Sequence, residues 1–168
     1  RLPGKVLRPL GERTVLGWVV RAALLAPGVD EVVVATSDGA EDDAVADAAQ
    51  SAGVAAVRGP LDDVLARFLL ALDDHPHDVV VRLTADCPLL DPAVIGMAVA
   101  AFTAGHVDYL STTTPRTLPR GLDVEVVSAV ALRAAGSEAS GVDRVHVTPY
   151  VYGHPERFRV AGLTFTPP

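Results

Sequence analysis

Hydrophobic and polar positions follow two different periods along this chain, and each change of period marks an element. From Thr14 to Ala26 the apolar residues Val15, Leu16, Val19, Val20, Ala23 and Leu24 recur at helical spacing, and Pro27-Gly28 stops the run. Glu31 to Thr36 reads as a short buried strand, with Ser37-Asp38-Gly39 as its exit turn. Ala40 to Ala52 predicts an Ala-rich surface helix, acidic on one face and closed by Gly53. Asp42 and Asp43 suit the positive end of that helix, with a ligand contact as the alternative. Val54 to Val57 gives another strand. Arg58-Gly59-Pro60 then turns the chain into a helix from about Asp63 to Asp73, where Asp62 or Asp63 fits an N-cap better than a base contact.

The stretch from Val79 to Asp91 organises the rest, because a near-continuous apolar run ends in an acid and a proline. An apolar run without alternation predicts a strand covered on both faces, of the kind found in parallel sheets flanked by helices. Ligands of such sheets bind at the carboxyl ends of the strands, where Asp86 stands, although an acid there also serves as a plain turn cap. Asp91 and Pro92 then predict the N-cap and first position of a helix through Phe102. Asp108 to Thr112 is strand-like, and Thr113 to Arg120 is a polar segment with two prolines. Strands alternating with helices predict an α/β fold, a three-layer αβα sandwich with a mainly parallel sheet.

The period then shifts. Gly121 to Val127 alternates, with Asp123 and Glu125 on one face of a strand. Two acids cannot be buried there without partners, so they meet solvent, cations or a metal; for Glu125 a solvent-facing edge strand is an equal reading. Asp143 to Tyr150 is rich in polar contacts and offers Arg144 and His146 as substrate-binding candidates, His146 serving equally well as a structural histidine. Arg157 to Leu163 reads as a late strand.

Composition narrows the function. The length of 168 residues and 49% hydrophobic content suit a single domain over 1–168, expected to lack an N-terminal strand and its C-terminal end. The net charge of -7 argues against broad nucleic-acid binding, which needs a basic surface. No apolar run approaches the ~18 residues of a membrane span, and the single Cys87 fits a reducing compartment, so the expected location is the cytoplasm. One small anionic ligand remains compatible, given local positive charge or a divalent metal. Of the 14 basic residues only Lys5 is lysine, within Arg1-Leu2-Pro3-Gly4-Lys5-Val6-Leu7, a composition suited to a loop close to phosphate and equally to an exposed basic tail.

The segments RLPGKVL, VVVATS, RGPLDDVLARF, VVRLTADCPLLDP, RGLDVEV and HVTPYVYGHPERFRV, in this order, resemble the cytidylyltransferases of the spore-coat polysaccharide type, relatives of the CMP-sialic acid and CMP-Kdo synthetases. The resemblance implies a nucleotide-diphospho-sugar-transferase-like domain that uses CTP, Mg²⁺ and an acidic or amino sugar acceptor, and a homodimer is compatible with it. It further implies that Arg1 and Lys5 belong to a phosphate-binding loop, that Asp86 holds the catalytic Mg²⁺, and that Asp123 is a second metal-side group. Val145 stands where the family has a glutamate. For such a reaction, backbone groups near Ala35, Thr36 and Ser37 and near Arg58 and Gly59 are the candidates to read the base. A nucleotidyltransferase using another triphosphate and a non-catalytic nucleotide-sugar-binding domain of the same fold are the alternatives.

Overall fold

The computed structural model describes residues 4–166. The chain enters through a left-handed Gly4 (φ 62°), which turns it into a single 3-10 turn, Lys5–Leu7. Strands β1 (Pro9–Leu10) and β2 (Arg13–Thr14) form a small antiparallel ribbon. Helix α1 (Val15–Leu24) begins where the Thr14 hydroxyl oxygen accepts the Gly17 N–H at 3.0 Å. Strands β3 (Val33–Ser37) and β4 (Ala55–Gly59) pair in parallel across helix α2 (Asp43–Ser51). Helix α3 (Val64–Asp74) is capped by Asp63, whose carboxylate accepts the Ala66 N–H at 2.9 Å.

Strand β5 (Val79–Arg82) leads through a turn to helix α4 (Pro92–Gly105), which Asp91 caps by accepting the Ala93 N–H. Strands β6 (Tyr109–Ser111) and β7 (Glu125–Ser128), helices α5 (Ala129–Glu138), α6 (Val142–His146) and α7 (Pro149–Tyr152), and strand β8 (Val160–Gly162) complete the order. The second sheet runs β5-β7-β6-β8.

The expected α/β sandwich is present, and four details differ from expectation. Strand β7 is antiparallel to both neighbours, so the sheet is mixed rather than mainly parallel. The chain between β6 and β7 carries no helix to bring it round for a parallel return, so it doubles back. Strand β5 is only half-buried, with Val79 exposed, because it pairs with β7 on one side and its other edge has no strand among the described pairings. Arg58 and Gly59 lie within β4 instead of in a turn, and Asp123 lies before β7 begins.

Side chains of the central strands alternate between two cores. Val126, Leu110 and the half-buried Val81 face α1 and α4, meeting Val19, Ile95, Ala98 and Phe102. Val127, Tyr109 and Val80 face the other way, against Leu65 and Leu72 of α3, Leu132 of α5 and Val151 of α7. Helices on both faces make the three layers. A third cluster joins α1, α2, Val34 and Ala56 to Val6, Leu7 and Ala85, and so ties the entry loop and the turn after β5 to the β3–β4 pair. Among the described residues no helix is long and apolar enough to cross a membrane.

Candidate active site

The predicted phosphate lysine and the predicted metal carboxylate meet. Lys5 Nζ donates to Asp86 Oδ2 at 2.5 Å across 81 residues of sequence. Gly4 supplies the entry turn on one side. On the other, Asp86 sits in a tight turn past β5, closed by Cys87 N–H donating to the Thr84 carbonyl at 3.1 Å. The Lys5 hydrogen bond holds the Asp86 carboxyl below the usual carboxylate range, outweighing the opposing effect of partial burial. Asp86 is therefore an anion at neutral pH, as a metal ligand must be.

Asp123 has a cation of its own. Arg116 grips it with both terminal nitrogens, Nη1 to Oδ1 at 2.5 Å and Nη2 to Oδ2 at 2.9 Å. This fork lowers the carboxyl of Asp123. Cys87, next in the chain to Asp86, has its thiol pushed up first by burial and further by the negative charge of Asp86 and Asp123. No group of three or more His, Cys, Asp or Glu converges as a metal cage among the described residues. Two ionised carboxylates are nonetheless the protein share that Mg²⁺ ordinarily takes, the remaining positions going to phosphate oxygens and water. The donor set fits that ion.

Beside Asp123 opens a polar cavity of about 260 Å³, walled by Arg82, Thr84, Thr113, Arg116, Glu125 and Tyr152 among others. Glu125 is the best-anchored of these side chains. Its Oε2 accepts from Arg82 Nη1, and its Oε1 accepts from Tyr109 Oη at 2.6 Å and from Thr148 Oγ1 at 2.5 Å. The pair is largely enclosed, with 18% and 13% of the Arg82 and Glu125 side chains exposed. Burial, and then the Glu125 charge, raise the Tyr109 hydroxyl far above its ordinary pKa, so it remains a donor throughout the working range. Thr148 is delivered by an unusual backbone: Val147 before it is fully buried at a left-handed φ of 77°. The edge-strand reading of Glu125 is thus overturned, because β7 is central and its acid is met by three donors.

The residues expected to read a base also gather at one place, the carboxyl ends of β3 and β4. Thr36 lies opposite Arg58, and Ser37 opposite Gly59, with Ala35 one position earlier. Asp42 accepts from Thr36 Oγ1 at 2.9 Å and from the Ser37 N–H at 3.0 Å. Burial raises this carboxyl, and the hydrogen bonds from Ser37 and Thr36 bring it below its usual value. Arg58 donates to the carbonyls of Ser37 (2.9 Å) and Gly39 (2.8 Å) and pairs with Asp43 at 2.6 Å. The Gly59 carbonyl accepts from Asp38. The ligand contact weighed for Asp42 and Asp43 is thereby replaced by protein contacts.

Arg144 and His146 both lie on α6. Arg144 donates to Asp63 at 2.7 Å and to the carbonyls of Gly136 and Ala139 at 2.9 and 3.3 Å, tying the start of α3 to the end of α5. His146 is exposed at the last position of α6. Arg1 lies outside the described residues. Sequence reasoning passed over Arg82, Arg116, Tyr109 and Thr148. The signal for Arg82 was in view: a guanidinium inside the run Val79-Val80-Val81 demands a counter-ion on the neighbouring strand, and Glu125 lies directly opposite it in the register.

The sequence profile of the cytidylyltransferase family matches residues 1–166. The spore coat polysaccharide biosynthesis protein of Bacillus subtilis is 34% identical, covering 97% of this chain and 69% of that protein. A 3-deoxy-manno-octulosonate cytidylyltransferase of Methylobacterium radiotolerans is 37% identical over 73% of this chain and 50% of its own length. The chain thus spans about half to two thirds of the curated relatives it matches. A solved cytidylyltransferase from Leptospira borgpetersenii superimposes with a TM-score of 0.92 at 32% identity, covering 98% of this chain and 71% of that one. With the profile running almost end to end and a relative 34% identical over 97% of this chain, the chain belongs to the cytidylyltransferase family.

Proposed function

We propose that this domain transfers CMP from CTP to an acidic or amino sugar, releasing pyrophosphate, in the biosynthesis of a surface polysaccharide. The Lys5–Asp86 contact carries the reading, because it joins the phosphate loop to the acid-bearing turn within a chain of this family. In the reaction a sugar hydroxyl oxygen forms a bond to the α-phosphorus while the bond to the pyrophosphate oxygen breaks. The hydroxyl proton leaves to solvent. Charge therefore grows on phosphate oxygens, and the protein's share is to place cations and orient both substrates.

Lys5 offers a compact ammonium for the triphosphate, a role its flexible stem permits and a planar guanidinium would fill poorly. Asp86 and Asp123 would hold Mg²⁺, which supplies a hard positive centre for the phosphate oxygens. The β3–β4 ends, where Thr36, Ser37, Arg58 and Gly59 are locked to one another, offer a rigid rim for the base. Arg144 supports the domain by joining two helices and leaves the acceptor to the cavity beside Asp123.

The test is a panel of four nucleoside triphosphates against acidic and amino sugars, with pyrophosphate release as the readout and the full-length protein as the enzyme. CTP should be consumed preferentially. Asp86→Asn should lower kcat by ~100-fold or more, equivalent to at least ~2.7 kcal/mol of transition-state stabilisation, with unchanged thermal stability. A flat result with every pair would favour the non-catalytic alternative, and Asp86→Asn at normal rates would remove the metal assignment.

A further inference from the structure

We propose that Arg82 receives the carboxylate of the sugar acceptor in the cavity beside Asp123, and that Glu125 is the positioning residue that aims it. This rests on the transferase reading and deepens it, by assigning the acceptor's charged group to a side chain. The inference begins with donors and acceptors. Both acids on the cavity wall are already occupied: Glu125 accepts from Arg82, Tyr109 and Thr148, and Asp123 is chelated by Arg116. Glu125 is held by three donors and Asp123 is the metal-side acid of the transferase reading, so neither is left for a ligand ammonium. A guanidinium, by contrast, carries five N–H donors, and Glu125 engages Nη1 of Arg82 alone. A planar fork with donors to spare reads a carboxylate.

Position separates the two arginines. Arg82 is the last residue of β5, clamped against the central strand. Arg116 stands in the segment before Asp123, where its backbone pairs only with Thr113 of the same segment and its side chain holds Asp123. A specificity contact must be held within a fraction of an ångström to be useful, and only the sheet-mounted arginine has such support. The support comes from Glu125, and through it from two hydroxyls on two further elements. The rest of the wall suits a polyol, with the hydroxyls of Thr84 and Thr113 for its own hydroxyls and the Tyr152 ring as a flat face.

The variant that tests this is Arg82→Lys, which keeps the charge against Glu125 and loses the fork. The full-length protein is titrated calorimetrically with 3-deoxy-manno-octulosonate in the absence of nucleotide, and separately with CTP. Arg82→Lys should weaken the sugar acid by ~10-fold or more while CTP affinity stays within about twofold. The neutral methyl ester of the sugar should bind wild type no better than the acid binds the variant. Thr148→Val, which removes one hydroxyl from Glu125 without uncovering a charge, should weaken the acid about threefold and leave CTP unchanged; a purely structural Glu125 would alter neither or both. Equal acid binding by wild type and Arg82→Lys overturns the assignment. So does a parallel loss of CTP, which would mean that Arg82 serves the triphosphate, and so does a wild type that binds no sugar acid. Acid bound through Arg82 but never converted would instead sink the transferase reading and leave this one standing.

Discussion

Two arginine–carboxylate pairs border one cavity and are built in opposite ways. Arg82 and Glu125 come from adjacent strands in direct register, are mostly enclosed, and have two hydroxyls completing the carboxylate. Arg116 and Asp123 lie seven residues apart on one loop, with 31% and 33% of their side chains exposed. In isolation the pairs are chemically alike. The difference lies in what removal leaves behind: the enclosed pair leaves a charge that meets only the little water of the cavity side, whereas the loop pair leaves one that water solvates more fully. The first therefore suits a fixed framework. The second suits a counter-ion that gives way when a stronger cation arrives.

The sharpest way to break this comparison is truncation of each acid. Glu125→Ala should cost about 3–5 kcal/mol in urea unfolding, because it strands Arg82 together with two buried hydroxyls. Asp123→Ala should cost less than about 1 kcal/mol in the same experiment. Comparable losses from both would erase the distinction drawn here.

A smaller effect is expected from Gly162→Ala. A methyl at Gly162 would stand 1.8 Å from the Thr114 carbonyl oxygen, so β8 and the segment 113–116 cannot both keep their places. The cost should be about 1–3 kcal/mol, as for other overpacked sites. Amide exchange should rise across 113–117 and stay slow across 125–127, which would show that the loop pair moves without the sheet pair.

The smallest effect is in acid. The folded Asp123 carboxyl is held below its unfolded value by Arg116. Between the two values the unfolded chain binds more protons, so the contribution is complete above about pH 4 and fades as pH falls further. Arg116→Ala should remove that part of the acid dependence and narrow the gap in Tm between pH 5 and pH 3. An unchanged acid limb would assign the dependence to the other lowered carboxyls, those of Asp42, Asp63, Asp86, Asp108 and Glu138.

Local chemistry made much of this legible in the sequence. Asp63 and Asp91 cap α3 and α4 as expected, because an N-cap needs only a side chain and the next few N–H groups. The family likeness named Lys5 and Asp86 separately, one for phosphate and one for a metal, and their contact, like the pairing of Thr36 and Ser37 with Arg58 and Gly59, is seen only in the fold. Long-range complementarity was not legible. Tyr109, Thr148, Arg82 and Glu125 belong to separate segments, each ordinary by itself, and only the strand order brings them to one carboxylate. Arg144 shows the converse, since a sequence displays a donor without showing that α5 carbonyls already take it.

The central place of β7 also bears on the order of folding. It is inserted between β5 and β6, although both precede it in the chain. During synthesis the two earlier strands emerge first, and the edges that β7 will cover stay open until residue 128 has left the ribosome. Arg82 then has no partner, and Tyr109 has no acid to meet. Insertion of β7 and the aiming of Arg82 by Glu125 are one event, while Thr148 and Tyr152, later in the chain, complete the wall, so a partly folded chain that has not yet placed β7 has no Glu125-aimed Arg82.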